Sequence, residues 1–467
     1  MSVSTYEYID YGLLLLFVIL VIVFLSTRKK NLTRQGIMYL YKTQLGVRFI
    51  DTFSKKFEKV LRPLEYVVIA CGYFLMATVV WYYGKSVYLY MTTPIANLIK
   101  APPIVPLIPY APKLFGLQSF LPDLYFTYFI IVIGIVAVAH EFSHGIFARL
   151  HGYKIHSTGF AFLGPILGAF VEPDEKQMEK GSKKNQLGIL AAGTFANIIM
   201  SILFGLIFWL FFSAFFVPAG VKFNTYPLAD VNLKSAEIIP GSQIEGFTKI
   251  KLGDKYFYAY DEGLKKAQEN NVEQFRVFED TPAFRAQLKG AIVEIDGKKV
   301  KSQDELSKII QSYKPDDEVK IKTIILRDDR DSNVMEEKIY NIKLQEKDGR
   351  TILGIGYYPV QEKGLIGIFY AKTFAKIKNQ AVFYESKIGV VGWFIYYLLW
   401  WIITVNLLVA LFNMLPLGIL DGGKFFYLTI WGITRSEKFA KKAFSFMTWI
   451  ILLSLVLLML RWGYTFF

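Results

Sequence analysis

Cysteine and histidine are both scarce in this chain of 467 residues. There is one cysteine, Cys71, so no intrachain disulfide can form. It lies in an apolar run and reads as a small core residue. Histidine occurs four times, at 140, 144, 151 and 156, all in one short stretch. Basic residues are missing ahead of the first apolar run. Residues 1–9 carry Glu7 but no lysine or arginine, and Arg28, Lys29 and Lys30 follow Gly12–Leu25. A cleaved secretion signal has the reverse order. The expectation is therefore an uncleaved anchor, its N-terminus outside and its Arg28 end in the cytoplasm. Charge is thin too, at 20% of residues against 53% hydrophobic and 16% aromatic, with a mean hydropathy of +0.34.

That balance points to a polytopic α-helical membrane protein with room for one extramembrane domain. The net charge of +14 is what basic cytoplasmic flanks facing anionic lipid produce, so the bilayer is the expected partner and nucleic acid is not. Apolar runs and flanking charges predict six spans, at 11–27, 64–83, 124–149, 187–216, 388–412 and 443–461, with a broken segment at 413–432. Residues 31–62 are basic and read as a partly helical cytoplasmic connection. Six prolines between 98 and 122 rule out a regular helix there and predict an extracytoplasmic or interfacial loop.

Four segments follow: an N-terminal pair of spans with the proline-rich loop (1–122), a first part of a membrane core with a membrane-associated hairpin (123–217), an extracytoplasmic inserted domain (218–362), and a second part of the core (363–467). In the insert, Ala291–Ile295 and Lys298–Val300 read as strands around an Asp296-Gly297 turn. Ser302-Gln-Asp-Glu305 is a capping box opening a helix with Leu306, Ile309 and Ile310 on one face. Glu318–Leu326 and Lys338–Leu344 alternate as strands. A small β-rich fold with a helix beside a free strand edge suits extended peptides. Gly364–Ser386, amphipathic and lysine-bearing, reads as an interfacial segment.

The chemistry concentrates at His140-Glu141-Phe-Ser-His144, which ends a run uncharged back to Asp123. On a helix the two histidines lie one turn apart on one face. That spacing suits adjacent corners of a tetrahedral Zn²⁺ site, with Glu141 beside it as general base. His151 and His156 lie beyond the run and read as loop residues. A catalytic zinc takes three protein ligands. Asp421, an acid at the end of a run uncharged from Ile388 to Leu420, suits the third place by environment. Glu172 and Asp174 are nearer in sequence but lie in a polar segment. Asn197 either glues helices or lines the site. The stretch after Ser157, studded with Gly159, Gly164, Pro165 and Gly168, reads as a hairpin whose edge accepts an extended peptide, or as an interfacial loop.

His140-Glu141-x-x-His144, then Gly193-x-x-x-Asn197, then Asn413-x-x-Pro416-x-x-x-Leu420-Asp421-Gly422, in that order on successive spans, resemble the site-2 proteases, the intramembrane zinc metalloproteases of family M50 in their archaeal form. The resemblance covers about 124–461. It implies one Zn²⁺ per chain, Asp421 as third ligand, Asn413 near the site, and hydrolysis of peptide bonds within transmembrane segments of single-pass membrane proteins. Asn413 would hydrogen-bond substrate or the oxyanion; alternatively it caps the broken helix. The hairpin at Gly164, Pro165 and Gly168, with Asn197, would receive substrate. The insert resembles a PDZ domain from Asp280-Thr-Pro-Ala283 through the helix after Ser302, with residues 245–280 inserted into or before it. Two rival readings are a non-catalytic scaffold that binds peptides through the insert, which has no use for Glu141, and a transporter, for which no inverted repeat is evident.

Overall fold

A computed structural model of the chain describes every residue except 1–4, 37, 94–101, 118–120, 164–165, 240–243, 327–334, 358–377 and 466–467. Two compact units emerge, one from residues 1–208 with 395–467 and one from 209–394.

Among the described residues six helices are long and apolar enough to cross a membrane. They are α1 (Thr5–Thr27), α3 (Glu58–Thr92), α5 (Phe126–Leu150), α7 (Lys183–Phe215), α11 (Gly389–Asn413) and α13 (Glu437–Tyr464). Shorter helices are α2 (Val47–Lys56), α4 (Ala111–Leu114), α6 (Glu175–Lys180), α8 (Asp261–Glu269), α9 (Pro282–Arg285), α10 (Gln303–Gln311) and α12 (Asp421–Thr434). Each span is close to its apolar run, but α3 and α7 extend beyond theirs into polar flanks.

In the first unit, α3, α5, α7, α12 and α13 share one core, with Val68, Leu75, Ile146, Ala191, Phe425 and Ile451 buried. Leu15, Leu20 and Ile22 on α1, and Leu453 and Leu460 on α13, are exposed; such apolar faces suit contact with lipid. Strands β1 (Leu32–Gln35), β2 (Met38–Thr43), β3 (Ile155–Leu163) and β4 (Ile166–Pro173) form an antiparallel sheet in that order. The stretch expected to be a basic connection at 31–62 thus supplies a hairpin as well as a helix. Met38-Tyr-Leu-Tyr-Lys-Thr43 is aromatic and alternating, and it pairs with β3 from Tyr39↔Phe162 to Thr43↔Thr158. One edge of the expected hairpin is therefore covered by β2, and β4 is the outer strand on the other side.

Asp10 of α1 is fully buried in the first unit. Its carboxylate accepts the backbone N–H groups of Phe126 (2.7 Å) and Thr127 (3.0 Å) and the Tyr110 hydroxyl (2.5 Å). The first N–H groups of a helix have no partner within it. An acid from another helix thus caps α5, while Tyr125 at the cap position makes no side-chain hydrogen bond.

Among its described residues the second unit holds two larger sheets and a two-stranded one, β15 (Gln345–Lys347) with β16 (Arg350–Ile352). Strands β6 (Leu228–Asn232), β7 (Glu237–Ile239), β8 (Phe247–Leu252), β9 (Lys255–Tyr260) and β10 (Gln274–Glu279) pair in the order β6-β10-β9-β8-β7. With α8 they enclose their own core of Val231, Ile250, Phe257, Leu264 and Val277. Residues 245–280, expected as an insertion, lie in this small sheet, whose first strand starts at Leu228. The other larger sheet runs β14-β13-β11-β5-β17, from β5 (Phe216–Val221), β11 (Ala291–Ile295), β13 (Glu318–Leu326), β14 (Met335–Lys343) and β17 (Val382–Ser386), with β12 (Lys298–Lys299) paired to β11. Asp296 and Gly297 turn with positive φ, 45° and 79°. Ser302 Oγ accepts the Glu305 N–H at 3.2 Å, so the expected cap forms, while the Glu305 carboxylate accepts the N–H of Lys301, one residue before the cap, at 2.8 Å. The expected interfacial segment at 364–386 falls mostly outside the described residues, and its end is strand β17.

Asp10→Ala should destabilise the protein by about 2 kcal/mol, since it removes charge-assisted bonds from a buried helix end. Asp10→Asn, which keeps an acceptor, should cost less. Thermal unfolding in detergent micelles checks the order.

Candidate metal centre

Two helices bring the three donors together. His140 and His144 sit one turn apart on α5, and Asp421 is the first residue of α12. His140 Nε2 is 3.1 Å from His144 Nε2 and 3.1 Å from Asp421 Oδ2; His144 Nε2 is 3.3 Å from the same oxygen. Three lone-pair donors with these separations form the only such cluster among the described residues. Metal–ligand bonds of 2.0–2.1 Å at tetrahedral angles put neighbouring donors about 3.3 Å apart. The triangle therefore has the size a zinc ion needs, and its donor set of two imidazoles and a carboxylate is one that zinc takes.

The surroundings are shaped to admit the rings. A Cβ added at Gly193 would strike His144 Nε2 and come within 2.7 Å of His140 Nε2. Only a residue without a side chain leaves room for both imidazoles on that face of α7. Asp421 is set by the break that follows α11. The chain turns through Met414–Leu420, where Leu417 N–H bonds to the Leu415 carbonyl and Leu420 N–H to the Leu417 carbonyl. Gly422 lies against the backbone of Met414 and Leu415, and Gly423 against Leu417, so that any Cβ would collide. The effect of these glycines is close packing that fixes the acid.

Asn413 ends α11 with Nδ2 3.3 Å from His140 Nε2, on the rim of the cluster. Asn197 is fully buried, its Nδ2 3.0 Å from His140 Nδ1. His144 Nδ1 lies 2.7 Å from the Ile189 carbonyl. Glu141 turns toward the sheet, where Oε2 accepts the Val171 N–H of β4 at 3.2 Å. Gly168 lies in β4 opposite Ala161; Gly164 and Pro165 fall outside the described residues. His151 is not a ligand: its Nε2 pairs with buried Glu65 at 2.7 Å, and Lys184 joins from 3.3 Å. His156 lies 3.5 Å from Asp174. Glu172, the nearer acid by sequence, is engaged by Lys42 at 2.6 Å and Ser157 at 2.5 Å. The Ile189 carbonyl was not foreseen, since a backbone group leaves no mark in a sequence.

A family model described as peptidase family M50 matches residues 128–458, which spans α5, α7, α12 and the whole second unit. The chain belongs to peptidase family M50. It is an intramembrane metalloprotease of the site-2 protease group, with a His-Glu-x-x-His motif whose histidines join Asp421 in a cluster able to hold a metal, and with helices long and apolar enough to cross a membrane. It is also similar to an uncharacterized protein of Methanocaldococcus jannaschii, 25% identical over 399 residues that make up 84% of this chain and 77% of that one.

Gly193→Ala gains about 1 kcal/mol of helix propensity, yet it should lose most of its bound zinc because the added methyl occupies the space of the imidazole edges. Metal content of the purified protein, by elemental analysis, checks this.

Proposed function

We propose that this M50 peptidase binds one Zn²⁺ through His140, His144 and Asp421 and cuts single-pass membrane proteins within their transmembrane segments. The donor triangle carries the reading. Two imidazole nitrogens and a carboxylate oxygen, drawn from helices far apart in sequence, converge where nothing but a cation or added protons reconciles their lone pairs. When bound, the zinc supplies Lewis acidity toward the scissile carbonyl and lowers the pKa of water.

The chain's own groups do the rest. Glu141, next to the first histidine, takes the proton of the attacking water as its oxygen bonds to the carbonyl carbon. It delivers that proton to the amide nitrogen as the C–N bond breaks. Asn413, at the rim, has an amide N–H to offer the substrate carbonyl as negative charge develops on its oxygen. A transmembrane helix hides its amides and must unwind before it can be cut. Strand β4 supports a role in holding it extended, because its outer edge is a place for a substrate strand to add. Gly164, Pro165 and Gly168 of the hairpin belong to that receiving surface in this reading.

The segment 218–362 is read as a PDZ-like domain outside the cytoplasm, between core parts at 123–217 and 363–467, with 1–122 as an addition. What supports it is the strand–turn–strand and capped helix at 291–311, together with the basic flanks at Arg28 and Lys441, which favour the cytoplasmic side for those ends.

Glu141→Gln should lower cleavage of a tethered transmembrane substrate by at least about a hundredfold while zinc content stays near one per chain. Asp421→Ala should lose both. Full activity of the Glu141→Gln protein would remove the mechanism, and undiminished zinc in the Asp421→Ala protein would remove the ligand assignment.

A further inference from the structure

Helix α7 meets the histidine pair with a matching face. Ile189, Gly193 and Asn197 recur every four residues, the same interval that separates His140 from His144, and residues four apart share a helix face. The helices pair in reverse order: His144 Nδ1 faces the Ile189 carbonyl and His140 Nδ1 faces the Asn197 amide. Gly193 lies between the two contacts. In a helix the carbonyl of residue 189 points toward residue 193, so the missing side chain also uncovers the Ile189 oxygen for His144.

Asn197 is the part of this face that helix packing leaves unexplained. It is fully buried, and its Oδ1 has no hydrogen-bond partner among the described residues. Nδ2 is the atom turned to His140. An amide that donates to Nδ1 leaves the ring's one proton on Nε2, the atom 3.1 Å from Asp421 Oδ2. A ring that offers its Nε2 lone pair to a cation carries its proton on Nδ1 and needs an acceptor there. Half a turn of the amide exchanges Oδ1 for Nδ2 and supplies that acceptor at the same 3.0 Å.

We infer that Asn197 is a positioning residue of the metal centre. Its Oδ1 accepts the Nδ1–H of His140, as the Ile189 carbonyl accepts that of His144, so α7 sets the tautomer and tilt of both imidazoles. This assigns Asn197 to the back of the cluster rather than to the substrate, and it rests on reading the cluster as a metal centre. The amide has two settings, one suited to each state. Donating, it holds the ring whose Nε2–H is shared with Asp421; accepting, it holds the ring that ligates.

The test is metal affinity of the full-length protein in detergent micelles, by competition for Zn²⁺ with a chromophoric chelator. The visible spectrum of the Co²⁺-loaded protein is the second readout. Asn197→Leu fills the space without an acceptor and should weaken zinc binding 10–100-fold, the range for loss of a ligand's outer partner, with a changed cobalt spectrum. Asn197→Asp keeps an acceptor and should bind within a few-fold of the wild type. Leucine binding as tightly as asparagine, or aspartate failing as badly as leucine, would overturn the inference and leave a packing role. Should a variant not fold, ¹⁵N-histidine NMR of the zinc-loaded wild type decides. The proton on Nδ1 of His140 is expected, and ligation through Nδ1 overturns the proposal. A wild type that binds no zinc overturns the metal centre itself, whereas normal wild-type binding with unaffected variants overturns only the role of Asn197.

Discussion

Three lone-pair donors held 3.1–3.3 Å apart inside an apolar bundle are a liability unless something positive joins them. Each polar group taken from water costs free energy that only a partner returns. A carboxylate at such depth costs more than a neutral group. Much of the first unit serves to bring these donors together. Gly193 clears the space, Gly422 and Gly423 let the broken segment fold back, and α7 presents an oxygen or an amide to each ring's far nitrogen.

The break after α11 follows from distance alone. Asn413 Nδ2 and Asp421 Oδ2 both lie within 3.3 Å of one atom, His140 Nε2. Eight residues of continuous helix would separate their backbones by about 12 Å. The chain must reverse between them, and Pro416, which cannot donate a helical hydrogen bond, stands in the reversal. Beginning α12 at Asp421 puts the acid in the first turn, where the free N–H groups and the helix dipole favour negative charge.

The three donors of the cluster were legible in the sequence because their signals are local or extreme. Two histidines four apart define a helix face, and an acid at the end of a long uncharged run stands out. The strands and the capped helix of residues 291–311 were legible for the same reason, since turn and cap residues act on near neighbours. The hairpin of residues 32–43 was obscured because its basic character resembles a cytoplasmic connection, and its partner strand β3 begins more than a hundred residues later. The surroundings of Asn197 could not be read either. Its meaning lies in which ring atom it meets, and that depends on the register between α5 and α7, which no short stretch encodes.

The two spans that precede the M50 match gain a physical purpose from what they touch. At the start of α5, Asp10 of α1 holds the Phe126 and Thr127 N–H groups. At its end, Glu65 of α3 holds His151, and Asp51 of α2 holds Arg149 at 2.6 Å. Between these ends, Glu141 is tied to β4 and both histidines to α7. A slide of α5 along its axis by one residue, about 1.5 Å, would take both imidazoles out of reach of their partners. A site of this kind tolerates about 0.5 Å. Apolar packing between helices in lipid has little power to fix axial position, because one apolar side chain serves much like another there. Charged and hydrogen-bonded anchors at the two ends supply that missing restraint, so the N-terminal elements fix the axial position of α5.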